Sequence, residues 1–334
     1  MSCRNQNRPP LRRPLPHSRN ENRICHRNDR HQNPKPRQNP ERNRHKPHSI
    51  RPPLTTLPQT RILVCNVSLL SRPLKIFLGL TLFSIFGTIL SHFTGLDPGP
   101  IKPAASIALI LSGCWAVWTE AARLTSPKSA TQSLGFLFAL GGASEIIGLY
   151  TGFPFGEYTY TANWFPTVPL PGDKNYPLLL PFAWTMIVGA AALAVAALKR
   201  PILIILATAA LATHVDFFME PVMVKSLNYW SWQSPTHSFE APYQNAVGWF
   251  LVSALGVIPF ALSLAKSEQK ALTVDAGILT LFGHLWLMLV IGTVSQLNQI
   301  PLVGLYFITF VFATASMAIG LVRQSPTRMS TKQP

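Results

Sequence analysis

Ile202-Leu-Ile-Ile-Leu-Ala-Thr-Ala-Ala-Leu-Ala-Thr-His-Val-Asp-Phe-Phe-Met-Glu-Pro-Val222 is an apolar run that ends on two carboxylates. At about 1.5 Å per helical residue it is long enough to cross the roughly 30 Å hydrocarbon core of a bilayer. Asp216 and Glu220 stand four residues apart and so share one helical face. An ionised carboxylate costs about 2.5–3.5 kcal/mol at the centre of a membrane helix on insertion scales. Protonating an ordinary Glu at neutral pH costs roughly 3.7 kcal/mol. The two costs are similar, so a modest further desolvation keeps either acid neutral and makes it a proton donor.

Seven further runs of comparable length stand at about 74–95, 104–122, 133–151, 178–198, 246–265, 274–296 and 300–322. Together with 202–222 they predict an all-α fold, a polytopic membrane helix bundle of about eight transmembrane helices. Charge placement orients it. With a cytoplasmic N-terminus, 26 of the 29 Lys and Arg fall on the cytoplasmic side, and Lys102, Lys174 and Lys225 on the other, as the positive-inside rule expects. Eight spans then leave both the N- and C-termini cytoplasmic. Helices 3 and 5 run outward, which brings Glu145, Asp216 and Glu220 to the non-cytoplasmic half, beside the two longest connections, 152–177 and 223–245. Glu120 ends the second helix at the opposite side, three residues before Arg123, and is expected to pair with it.

The formal charge of +16 is unevenly spread: residues 1–75 hold 17 Lys and Arg against three acids, and the other 259 hold 12 against 10. Residues 1–60 are rich in Arg, Asn, Pro, His and Gln and nearly devoid of aromatic and β-branched residues, too little apolar surface to offset chain entropy. The chain therefore divides into a disordered basic tail (1–73), a transmembrane domain (74–323) and a disordered C-terminal tail (324–334). The basic tail has no interleaved aromatics and no RNA-binding motif, so anionic lipid is the expected partner and nucleic acid is not. No apolar core of signal-peptide length follows the first basic residues, so a cleaved leader is not expected. Cys3, Cys25, Cys65 and Cys114 show no C-x-x-C spacing, and neither a disulfide nor a metal site is expected from them.

Five residues beyond Glu145 the chain reads Tyr150-Thr-Gly-Phe-Pro-Phe-Gly-Glu-Tyr-Thr-Tyr160. Gly152, Pro154 and Gly156 predict a tight turn, from which Phe153, Phe155, Tyr158 and Tyr160 offer aromatic faces and Glu157 a further acid. The second connection holds Trp230 and Trp232, then Tyr243-Gln-Asn245 and Gly248-Trp249. An interfacial aromatic belt accounts for such rings one by one. It does not account for the carboxylates that accompany them on one side only. His214 and His284 read as packing or hydrogen-bonding residues, and His92 and His237 complete the histidines of this part of the chain. That set lacks the clusters of a membrane di-iron oxygenase. Phosphate loops, G-x-S-x-G elbows and Asp-rich diphosphate motifs are missing too.

What remains is a group of protonatable acids among aromatic rings. Such a group suits acid-catalysed addition to an alkene: a neutral carboxylic acid protonates a trisubstituted double bond, and aromatic faces stabilise the tertiary cation, each by about 2 kcal/mol when desolvated. Water captures the cation, and a second carboxylate removes the proton. It suits a proton-coupled transporter equally well.

Glu145 with Gly-Phe-Pro-Phe-Gly-Glu-Tyr-Thr-Tyr (152–160), Pro181-Phe-Ala-Trp184, and Asp216-x-x-x-Glu220-Pro221 with Trp230-x-Trp232 resemble the integral-membrane carotenoid-biosynthesis proteins over about residues 75–323. Characterised members of that family are carotenoid 1,2-hydratases acting on the acyclic ψ ends of γ-carotene, lycopene or bisanhydrobacterioruberin. Where the family pattern has Asp-Pro this chain has Glu220-Pro221, which keeps the acid and lengthens its reach by one methylene. The resemblance implies a hydro-lyase needing no cofactor or metal, in a bacterial plasma or photosynthetic membrane. It would meet its carotenoid within the bilayer, among membrane lipid and other carotenoid-biosynthesis enzymes. From their shared side in the predicted topology, the expected roles are Asp216 as general acid, Glu220 as its partner or base, and Glu145 and then Glu157 as further candidates. Phe153, Phe155, Tyr158, Tyr160, Trp184, Trp230 and Trp232 would hold the end group. The alternatives are a proton-coupled transporter and a non-catalytic carotenoid-binding membrane protein.

Overall fold

Prolines and caps set where the helices begin. The computed structural model describes residues 70–234, 241–268 and 272–295, with 301, 304, 308 and 311 beyond them. Helix α1 (Arg72–Thr94) and α2 (Ile101–Leu124) are followed by α3 (Pro127–Thr151). The Ser126 side chain accepts the Ser129 N–H at 3.1 Å, and Pro127 occupies the first turn, where its missing N–H is not needed. This polar first turn is why α3 starts six residues before the apolar run 133–151. Gly152, at φ 69°, ends it with its N–H on Gly148 O at 2.8 Å. Then come α4 (Leu180–Ala194), α5 (Pro201–Pro221), α6 (Tyr243–Lys266) and α7 (Leu272–Val294).

Six of these helices are long and apolar enough to cross a membrane, against an expectation of eight. The fourth run is the exception. Lys174–Pro177 is drawn into a strand and the chain turns tightly at 196–198, which leaves α4 with 15 residues, about 22 Å long. Of the eighth run, 300–322, Pro301, Gly304, Ile308 and Val311 are described and helical. The rest of that run lies outside the described residues, as do 1–69 and 324–334.

Thirteen of the 15 residues of α4 are buried, because α2, α3, α5, α6 and α7 all touch it. Small residues permit this. A Cβ on Gly277 of α7 would stand 2.5 Å from the Ala190 carbonyl oxygen and 2.6 Å from the Ala194 nitrogen, both backbone atoms that cannot swing aside. Gly277→Ala is expected to destabilise the bundle by about 1–3 kcal/mol, read as a lowered thermal midpoint in detergent; an unchanged midpoint would refute the close α4–α7 approach.

The connections at one end of the bundle form two small sheets. Strand β2 (Thr167–Leu170) and β3 (Lys174–Pro177) make a local hairpin. β1 (Tyr158–Tyr160) pairs antiparallel with β4 (Trp230–Trp232), in the register Tyr158↔Trp232 and Tyr160↔Trp230. Pro221 helps to create β4: lacking an N–H it weakens the helical ladder, and the backbone widens directly into a π turn, Val222–Ser226. The turn closes through Leu227 N–H on Val222 O, and Tyr229 N–H on Met223 O directs the chain into β4. At the other end of α2, Arg123 Nε bonds Glu120 Oε2 at 2.9 Å, the pair expected from the spacing.

Candidate active site

The β1–β4 ribbon is built around two acids. Period-two alternation turns Tyr158 and Tyr160 of β1, and Trp230 and Trp232 of β4, to the same inner face, leaving Thr159 and Ser231 outside. Both tyrosine hydroxyls donate to Oε2 of Glu145 on α3, Tyr158 at 2.6 Å and Tyr160 at 2.9 Å. Trp184 Nε1 of α4 donates to Glu145 Oε1 at 2.9 Å. The two indole nitrogens of β4 donate to Oε2 of Glu220 on α5, Trp230 at 3.1 Å and Trp232 at 3.0 Å. One strand thus serves Glu145 and its partner serves Glu220.

Asn245, in the first turn of α6, joins the second acid to the third. Its Nδ2 donates to Glu220 Oε1 and to Asp216 Oδ2, each at 2.8 Å, and only the amide NH₂ can serve two carboxyl groups at once. Six carboxyl oxygens result, five of them with at least one donor. Among the described residues, Asp216 Oδ1 receives none. All three acids are buried, between 1 and 4% exposed.

These groups surround a cavity of about 50 Å³, room for water beside polar walls. Trp184 stacks on Trp249 of α6 with ring centroids 3.9 Å apart and planes 14° from parallel. Tyr158 also meets Trp232 at 5.1 Å. Burial, followed by the adjacent Glu145 carboxylate, pushes both ribbon phenols well above their ordinary value near 10. At neutral pH they therefore remain O–H donors.

The structure brings together Glu145, Asp216, Glu220, Phe155, Tyr158, Tyr160, Trp184, Trp230 and Trp232 around this one cavity. Two expected members stand apart. Phe153 is 64% exposed on the far side of the turn, and Glu157 is exposed with its backbone oxygen taken up by Gln233 N–H. Strand alternation explains Glu157: it precedes inward Tyr158 and so points out. His214 is exposed, its Nδ1 2.7 Å from Ala210 O; His284 is buried, its Nε2 2.9 Å from Met219 Sδ.

Of the further members, motif reading does not pick out Trp164 and Met219, while Asn245 and Trp249 stand in the stretch quoted with the second connection without a role assigned to them. For Asn245 and Trp249 a signal exists. With Gly248 and Val252 they repeat at i, i+3, i+4 and i+7, one helical face, and an amide on the buried face of a membrane helix needs a polar partner.

Residues 105–327, two thirds of the chain and every acid of the cavity, match the family described as "Carotenoid biosynthesis protein". The chain belongs to this carotenoid-biosynthesis family. Its six long apolar helices make it a multi-pass membrane protein. A curated relative, the bisanhydrobacterioruberin hydratase of Haloarcula japonica, is 28% identical over 190 residues, which is 55% of this chain and 62% of that protein. The likeness thus spans less than two thirds of the relative's own length. No solved structure matches this member of the carotenoid-biosynthesis family.

Proposed function

We propose that the protein is a carotenoid 1,2-hydratase acting on the acyclic ψ end of γ-carotene, lycopene or a related carotenoid. The observation that carries this reading is Asp216 Oδ1, the carboxyl oxygen of the cavity to which no described residue donates. Glu145 and Glu220 each accept three donors, as ionised carboxylates do. Asp216 is then the acid left to carry a proton into the cavity.

The reaction balances without a change of oxidation state. The Asp216 O–H bond breaks and a C–H bond forms at C2 of the end group, leaving the cation at tertiary C1. The rings of Trp184, Trp249 and the ribbon face this charge, and the Glu145 carboxylate opposes it. A water in the cavity adds to C1 and loses a proton to Glu220. Passage of that proton to Asp216, which shares Asn245 with Glu220, restores the starting state. The excess of Lys and Arg at the opposite end of the bundle supports a non-cytoplasmic site and cytoplasmic termini.

A proton-coupled transporter needs acids spaced along a path, whereas the acids of this cavity cluster at one end. Among the described side chains, the next buried acid is Glu120, engaged by Arg123 at the other end. Expression in a host that makes lycopene or γ-carotene is expected to yield a 1-hydroxy-1,2-dihydro product. In ¹⁸O-labelled water the new hydroxyl carries the label, and under ¹⁸O₂ it does not. An unchanged carotenoid pool despite membrane insertion would refute the hydratase and favour the transporter or a carotenoid-binding role.

A further inference from the structure

Around the cavity every side chain is buried except two, Trp232 and Ala183. Trp232 belongs to the ribbon, outside the apolar helices, and its indole N–H is held by Glu220. Ala183 lies in α4. There Leu180, Ala183, Trp184 and Ile187 repeat at i, i+3, i+4 and i+7 and form one wall of the cavity. The wall from α5 is Asp216, Met219 and Glu220. Ala183 is the smallest side chain in either wall. Its near neighbours Leu178, 45% exposed, and half-buried Phe182 are both apolar.

A long polyene cannot be enclosed by so small a cavity, so the chain beyond the reacting end group must leave somewhere. Leaving past the ribbon would carry apolar chain toward polar loops, and leaving within the apolar helices would not. We propose that Ala183 forms the mouth through which the polyene hangs out of the cavity into lipid, while water reaches the acids from the Trp232 side. The proposal rests on the hydratase reading and adds the residue that decides whether a long chain can be seated.

Ala183→Phe separates tail passage from chemistry when assayed in membranes on lycopene and on 2-methylpent-2-ene, which has the same trisubstituted double bond without a tail. The expected result is a loss in kcat/KM that is about tenfold or more greater on lycopene than on the short alkene. Equal losses on both would make Ala183 an ordinary wall residue, and no loss on lycopene would place the mouth elsewhere; either overturns the proposal. A wild-type chain that hydrates neither alkene refutes the hydratase reading instead.

A second measurement does not depend on the bulky variant folding or on turnover. Ala183→Cys, in a chain whose native cysteines are replaced by Ser, is treated with a bilayer-soluble maleimide. Labelling is expected, and lycopene is expected to slow it about fivefold or more through occupancy of the mouth. Labelling that fails, or that lycopene leaves unchanged, overturns the proposal, and it decides the matter if wild type accepts only one alkene.

Discussion

Asp216→Asn is expected to lower hydration by about 10²–10⁴-fold, the range that a positioned general acid contributes. The substitution is chosen for what it preserves. The new amide has the same shape, and its carbonyl oxygen can still accept the Asn245 N–H that Asp216 Oδ2 accepts at 2.8 Å. The only loss is a transferable proton at the position of Oδ1. Thermal stability should therefore stay close to wild type while product formation from lycopene collapses, the two measured on one preparation. A variant that kept more than about a tenth of the activity would exclude Asp216 as proton donor. The role would then pass to Glu145 or Glu220, either of which would have to be protonated on an oxygen that already accepts at least one donor.

Much of this arrangement is legible in the sequence because membrane burial is harsh on polar groups. The acids at 145, 216 and 220 stand out against their apolar surroundings, and alternation in Tyr158-Thr-Tyr160 and Trp230-Ser-Trp232 already puts each aromatic pair on one side of a strand. The pairing of these two strands is not legible, since about 70 residues separate them and nothing local specifies the partner. That register decides which acid each ring serves. Asn245 is hard to see for a similar reason: its importance lies in reaching two acids of another helix. Hydropathy counts 178–198 among the spans, but a helix with 13 of its 15 residues buried is apolar because it packs against protein, and it need not match bilayer thickness. Phe153 misleads in the opposite way, as an apolar ring in a motif that the turn directs outward.

Glu145→Leu is the second substitution with a large expected effect, and it acts on stability. Removing the carboxylate strands two buried donors, the Tyr160 hydroxyl and Trp184 Nε1, and leaves the Tyr158 hydroxyl only its longer bond to the Glu145 backbone oxygen at 3.2 Å. A buried donor left without a partner costs about 1–3 kcal/mol, so the variant should lose about 2 kcal/mol or more. The cost belongs to the orphaned donors and not to the missing charge itself, and this has a consequence that can be measured. Adding Tyr158→Phe and Tyr160→Phe to Glu145→Leu removes one of the two orphans and the weakened Tyr158 donor, and the triple variant should recover about half of the loss. Each tyrosine substitution made alone in the wild type should instead destabilise by about 1 kcal/mol, because there it takes a donor from Glu145. The sign of the tyrosine effect therefore reverses with the residue at 145. Denaturant titration in detergent reads all five proteins. If the tyrosine substitutions destabilise equally in both backgrounds, Glu145 is not what holds β1 against α3. The ribbon would then owe its place to β4 and the aromatic contacts alone.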